Sequence, residues 1–198
     1  MKLVFLVLLA VSILSFAFFL LFFPASYLYD VALQLGLFFF AMYFLWQKDL
    51  VATLKGIGFP GNIKNTIIYT VGGLITVFVV LILLSIVAYY FGFNDEAKVT
   101  QTVSGLPLYL LVVAIIFAPI FEELLFRALL VPRAGVVLSA LLFGLLHFTY
   151  GSVVEVVGVV LVGLILGLVF RSSKSITPCI LIHFIYDFMS IVAIKLVT

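Results

Sequence analysis

The stretch "LPLYLLVVAIIFAPIFEELLFRALLV", residues 106–131, is apolar and long enough to cross a hydrocarbon core, yet it carries Glu122, Glu123 and Arg127 near its middle. A bilayer-spanning helix needs about 20 apolar residues. A charged side chain at the centre of such a helix costs about 2.5–3.5 kcal/mol on insertion scales. Whether this segment spans a membrane therefore decides both the fold and the meaning of its charges. The rest of the chain answers the first question. It has 198 residues, 67% hydrophobic and 9% charged, with a mean hydropathy of +1.47. Soluble domains carry about 25% charged residues and 45–50% apolar ones. Too little polar surface remains to cover a water-soluble particle. The expected fold is all-α: a polytopic, multi-pass transmembrane helix bundle integral to the cell membrane, with membrane lipids as its surroundings.

Working outward, seven spans are expected. The first runs from Leu3 to Phe23, closed by Pro24. Its apolar core exceeds the roughly 7–15 residues of a signal-peptide core, which favours a retained anchor. The others are Tyr27–Trp46, Thr66–Phe93, Leu106–Val131, Val136–Thr149, Val153–Phe170 and Pro178–Val197, with Pro132, Arg133 and Gly135 forming one turn. The loop "QKDLVATLKGIGFPGNIKN" is expected to lie along the headgroups. Threading the spans alternately puts Lys2, Lys48, Lys55, Lys64, Arg133, Arg171 and Lys174 on one side, and Lys98 and Lys195 on the other. The positive-inside rule makes the first side cytoplasmic, with the N-terminus inside. Residues 1–105 read as N-terminal spans and 106–198 as a second helix bundle, within one membrane domain. Gly163 and Gly167 form a small-xxx-small pattern of close helix contact. The single cysteine, Cys179, excludes an intramolecular disulfide and reads as apolar filler. The net charge of +2 and the lack of a basic run give no reason to expect nucleic acid.

Six ionisable groups fall inside the last four spans: Glu122, Glu123, Arg127, His147, His183 and Asp187. At about 1.5 Å per residue, Glu122 and Glu123 lie roughly 15 Å from Arg133, His147 roughly 18 Å from Gly135, and His183 and Asp187 roughly 14 and 20 Å from Lys174. Three helices thus bring polar groups to one layer near the midplane. Glu123 and Arg127, spaced i and i+4, share a face and can neutralise each other. Glu122 is turned about 100° away from Glu123 and misses that partner, which suits it to act as a general base. Pro119 frees the carbonyl of Ile115 and should kink or loosen the span beside the site. Phe143–His147 and His183–Asp187 repeat the i, i+4 spacing, and Asp187 could set the tautomer of His183. A Glu, two His and an Asp at one depth could activate water. They could equally ligate a divalent metal such as zinc, through Glu122, His147, His183 and Asp187. Glu155, at the start of a span, reads as interfacial.

The order of these groups resembles a known family. "EELLFR" is similar to an EExxxR motif, "FGLLH" to FxxxH, and "HFIYD" to a His followed four residues later by Asn or Asp. Together they resemble the CPBP family, the CAAX-protease and bacteriocin-processing group of intramembrane endopeptidases. "GLILGLVFRSSKSITPCILIH" is similar to that family's Gly-rich span and turn. The resemblance covers Ala118 to Asp187. It implies that Glu122 and His147 activate the attacking water, that His183 and Asp187 stabilise the oxyanion, and that Glu123, Arg127 and Phe143 brace the site. The implied substrate is a membrane-associated peptide or lipidated protein, and the favoured mechanism requires no cofactor. Asp187 stands where Asn is common, so it must be protonated, paired with histidine or a metal ligand. Ala128 stands where Gly often follows the Arg. Two other readings of the same residues are a proton-coupled transporter and a non-catalytic membrane protein of the bacteriocin-immunity type.

Overall fold

The computed structural model describes residues 25–93 and 95–198. They are helices joined by short turns and loops, with no strand among the described residues. Helices α1 (Ala25–Leu45), α2 (Leu50–Gly56), α3 (Ile63–Tyr90) and α4 (Ala97–Ser104) come first. A long irregular rod follows, made of α5 (Leu108–Val112), a π-helical stretch (Val113–Phe117), α6 (Ala118–Glu123), a second π-helical stretch (Leu124–Leu130) and α7 (Val131–Leu146). One 3₁₀ turn, His147–Tyr150, then leads to α8 (Val153–Ser173) and α9 (Thr177–Val197).

Four helical runs are long and apolar enough to cross a membrane, or five if α1 and α2, bent by 92°, form one span. The seven-span expectation is met only in part. Its first span lies outside the described residues. The Leu106–Val131 and Val136–Thr149 spans run on as a single 39-residue helical stretch, Leu108–Leu146. That stretch is not straight. Gly135 has φ 82° and ψ 167°, which breaks the helix. Phe126 and Phe143 would be roughly 25 Å apart on a straight helix, but their ring centroids are 5.0 Å apart. The rod therefore doubles back at Gly135, where the sequence places its turn. The returning leg is short, and the 3₁₀ turn, with a rise of about 2.0 Å per residue, extends its reach.

The expected loosening at Pro119 takes the form of a widened turn. Proline lacks the N–H that an α-helix needs there, and its ring crowds the carbonyl four residues back. The π-helical stretch Val113–Phe117 sits just ahead of it. In the second π-helical stretch the Phe126 carbonyl accepts the Val131 N–H. It also accepts the Ser139 hydroxyl at 2.6 Å, which ties the two legs together.

Packing explains how the helices stay in register. A lipid-exposed bundle has no hydrophobic drive between its helices, so close packing and polar links must hold it. A methyl group at Gly163 would stand 3.0 Å from Ala140 Cα and 3.3 Å from Phe143 Cδ1, so only glycine lets α8 approach α7 this closely. Val77, Val162, Leu166, Val169, Cys179 and Ile182 form one core between α3, α8 and α9. Ala41, Leu124, Phe126, Leu129, Phe143 and Ile176 belong to a second, which joins α1 to the doubled rod. Along α3, Ile67, Ile68, Val71, Ile75, Val79, Ile82 and Leu83 are exposed, as expected of a face turned to lipid.

The two ends of the bundle are tied separately. At one end the Ser175 hydroxyl donates to Gly58 O at 2.7 Å, and the Gly61 N–H donates to Thr177 Oγ1 at 3.1 Å. The segments bearing Lys55, Lys64 and Lys174 therefore share an end, as threading requires. At the other end Lys195 Nζ donates to Ser104 O at 2.6 Å and Lys98 Nζ to Gly151 O at 2.8 Å. There Asp95 caps α8: it accepts from Ser152 Oγ at 2.7 Å and from the Val153 N–H at 2.6 Å. The Ser152 bond, more than any other contact, holds the Asp95 carboxyl below its ordinary 3.8.

Two outcomes follow. The Gly135 conformation is essentially restricted to glycine, and forcing another residue into it costs about 1–3 kcal/mol. Gly135→Ala should lower the unfolding midpoint in detergent, whereas Gly72→Ala, in open helical space, should leave it unchanged or raise it. Because the folded-state pKa of Asp95 is depressed, its stabilisation is present above pH 3.8 and is lost as pH falls through the folded value. Asp95→Asn should therefore flatten the fall in wild-type stability on acidification below that point, as read by thermal unfolding in detergent.

Candidate active site

Glu122 and Glu123 end α6, where the regular helix gives way to the second π-helical stretch. Such widened turns recur at functional sites. Adjacent on the helix, the two carboxylates both approach His183, but only Glu123 reaches Arg127, as their angular offset predicts. Glu123 is 0% exposed, and its Oε2 lies 3.0 Å from Arg127 Nε. That contact is coulombic, since the pair is off the hydrogen-bond line. The guanidinium carbon of Arg127 sits 4.3 Å from the Phe143 ring centroid. Its Nη1 and Nη2 have no hydrogen-bond partner among the described residues.

Glu123 also faces the other way. Its Oε1 is 2.9 Å from His183 Nδ1 on α9. The sequence offered Asp187 as a residue that could set the tautomer of His183; in the structure Nδ1 faces Glu123 instead. Nε2 is left between Asp187 Oδ2 at 3.4 Å and Glu122 Oε2 at 3.9 Å. Asp187 is thus paired with histidine, one of the three states its carboxylate required. Its side chain is 23% exposed, against 0% for Glu123 and Arg127, so the brace lies deep and Asp187 nearer the protein surface.

Phe143 joins the layers. Its ring contacts Phe126, Arg127, His147 and His183, with the His147 and His183 rings at 5.2 and 5.7 Å. His147 lies at the junction of α7 and the 3₁₀ turn. Its Nδ1 is 3.1 Å from Phe143 O, and its ring stacks on Tyr150. The structure therefore gathers Glu122, Glu123, Arg127, His183 and Asp187 by direct contact and brings His147 to them through Phe143. The Nδ1 contact leaves His147 Nε2 as its other ring nitrogen, and no group of three or more His, Cys, Asp or Glu placed to hold a metal ion occurs among the described residues.

One residue of this neighbourhood went unread in the sequence, and another was read differently. Gln34 on α1 donates its Nε2–H to Glu122 Oε1 at 2.6 Å. An amide within an apolar span was the available signal. Glu155, read as interfacial, lies within electrostatic reach of His147 and of Asp187. It lines a cavity of about 210 Å³ together with Ser85, Glu96, Thr100 and Tyr186. Only the folding of α8 against α7 and α9 reveals that proximity.

Residues 104–189 match the family model described as Rce1-like, type II CAAX prenyl endopeptidase Rce1-like. The match is consistent with a CPBP family intramembrane protease, and all three motifs lie within it. Because the Rce1-like family is a protease family, the match supports a peptidase acting in the membrane. It lends nothing to the transporter or immunity-type alternatives. No curated protein and no solved structure matches the chain.

The layering has a measurable consequence. Removing one member of a buried ion pair costs about 3–5 kcal/mol, because its partner is left charged and unpaired. Arg127→Ala should therefore destabilise the protein strongly in detergent unfolding. Glu122→Gln, which leaves the brace intact, should cost no more than about 1.5 kcal/mol. Equal losses would mean that the brace is not a separate unit.

Proposed function

We propose that the protein is an intramembrane endopeptidase of the CPBP type, hydrolysing a peptide bond of a membrane-associated substrate with water activated by Glu122. The observation that carries this reading is the meeting of Glu122, His183 and Asp187 at one imidazole nitrogen, above a fully buried Glu123–Arg127 brace. Three carboxylates and a guanidinium in an apolar bundle are costly as structure alone. A water-filled reaction site accounts for them.

In this mechanism Glu122 takes a proton from water as the oxygen attacks the scissile carbonyl. His147 completes the activating pair, as the family resemblance implies. His183, its Nδ1 turned to Glu123, presents Nε2 to the developing oxyanion, and Asp187 orients and compensates it. The proton held by Glu122 then passes to the leaving amine. Positioned proton transfer of this kind contributes about 10²–10⁴ in rate. No cofactor is required. The substrate class is a lipidated CAAX-type or bacteriocin-like peptide. The Lys/Arg-rich end of the bundle faces the cytoplasm of the cell membrane, by the positive-inside rule.

The test is a cleavage screen on detergent-purified protein, with farnesylated and unmodified membrane peptides read by mass spectrometry. Wild type should generate new termini. Glu122→Gln and His147→Ala should lose at least about a hundredfold in rate. A chelator should leave the yield unchanged. Identical product sets from all three proteins would overturn the catalytic assignment, and loss of activity with chelator would restore a metal to the mechanism.

A further inference from the structure

We propose that Gln34, on a helix outside the family-matched segment, is a positioning residue of the reaction centre, and that its unpartnered carbonyl oxygen accepts a hydrogen bond from the attacking water. This rests on the reading of Glu122 as general base. The Gln34 Nε2–H donates to Glu122 Oε1 at 2.6 Å, while Glu122 Oε2 faces His183 Nε2. One carboxylate oxygen is thus tethered and the other directed to the reaction site. The orientation of the amide is set by chemistry, since an ionised carboxylate only accepts.

The other half of the amide is the more telling. Gln34 Oε1 is buried and has no hydrogen-bond partner among the described residues. It is bonded to the same carbon as Nε2, so it lies beside the Glu122 carboxylate. A buried acceptor left unpaired is rare and destabilising unless something fills the position. Water awaiting deprotonation by Glu122 supplies the missing donor: one O–H to the carboxylate and the other to Gln34 Oε1.

Helix α1 is held firmly enough to do this. One turn beyond Gln34, the Phe38 ring packs on Phe121 with centroids 4.7 Å apart. A turn further, Ala41 is fully buried in the core that contains Leu124 and Phe126. The face of α1 bearing Gln34 therefore rests directly on the helix that carries Glu122. The reaction centre is incomplete without a residue about 70 positions before the matched segment begins.

The test compares full-length wild type, Gln34→Leu, Gln34→Glu, Glu122→Gln and the double variant Gln34→Leu/Glu122→Gln in detergent. Activity is measured on a farnesylated CAAX peptide and on any peptide cleaved in the screen. Gln34→Leu should lower kcat about a hundredfold, the scale of a misaligned reacting group, with KM little changed. In the Glu122→Gln background the same change should have no further effect. Gln34→Glu, equal in length but without the donor, should be as impaired as Gln34→Leu. Full activity in Gln34→Leu beside an inactive Glu122→Gln overturns the role of Gln34 and leaves the general base standing. Full activity in Glu122→Gln overturns both. Thermal unfolding needs no substrate: the losses in the two single variants should be non-additive in the double. Additive losses would mean that the two side chains do not act together, and the proposal falls.

Discussion

A buried guanidinium holds this site together. Arg127 is fully enclosed, and so is Glu123, its partner at 3.0 Å. Neither charge is tolerable alone in an apolar bundle, so each fixes the other. Glu123 then uses its second oxygen to grip His183 at 2.9 Å, and the Phe143 ring covers Arg127 on one side and contacts His183 on another. Three helical segments are linked through one carboxylate and one aromatic ring. The orientation of His183, and with it the space before Glu122, follows from this anchor.

Departures from regular helix put the anchor where it is. The Val113–Phe117 widening precedes Pro119, and the Leu124–Leu130 widening follows Glu123. Between them the regular turns of α6 carry both carboxylates. Gly135 reverses the rod so that Phe143 and Ser139 return against Phe126. Gly163 then lets α8 press close to the returning leg. A straight, evenly wound helix would carry the same residues past each other.

Much of the site was legible before the structure. Glu123 and Arg127 announce themselves by spacing, Glu122 by its angular offset, and the turn at Gly135 by its Pro-Arg-x-Gly context. The division of labour around His183 was not legible. Spacing pairs His183 with Asp187 on one helix, but the closer carboxylate is Glu123, 60 positions away in the chain. His147 matched its partners in depth, yet depth says nothing of azimuth, and its ring is engaged by Phe143 and Tyr150. Gln34 was passed over and Glu155 read as interfacial, because each looks ordinary within its own helix.

The sequence by itself determined that the chain is a helical membrane bundle, because its composition leaves no polar surface to spare. It also determined which few residues carry charge into that bundle, and at what height, because rise per residue converts position into depth. The tertiary structure alone decided which of those charges meet. Rotation about each helix axis and the partner across each gap depend on packing at Gly163, on the widened turns and on the seat of α1. Local spacing does not encode those contacts between helices, and they bring Gln34 to Glu122 and Glu123 to His183.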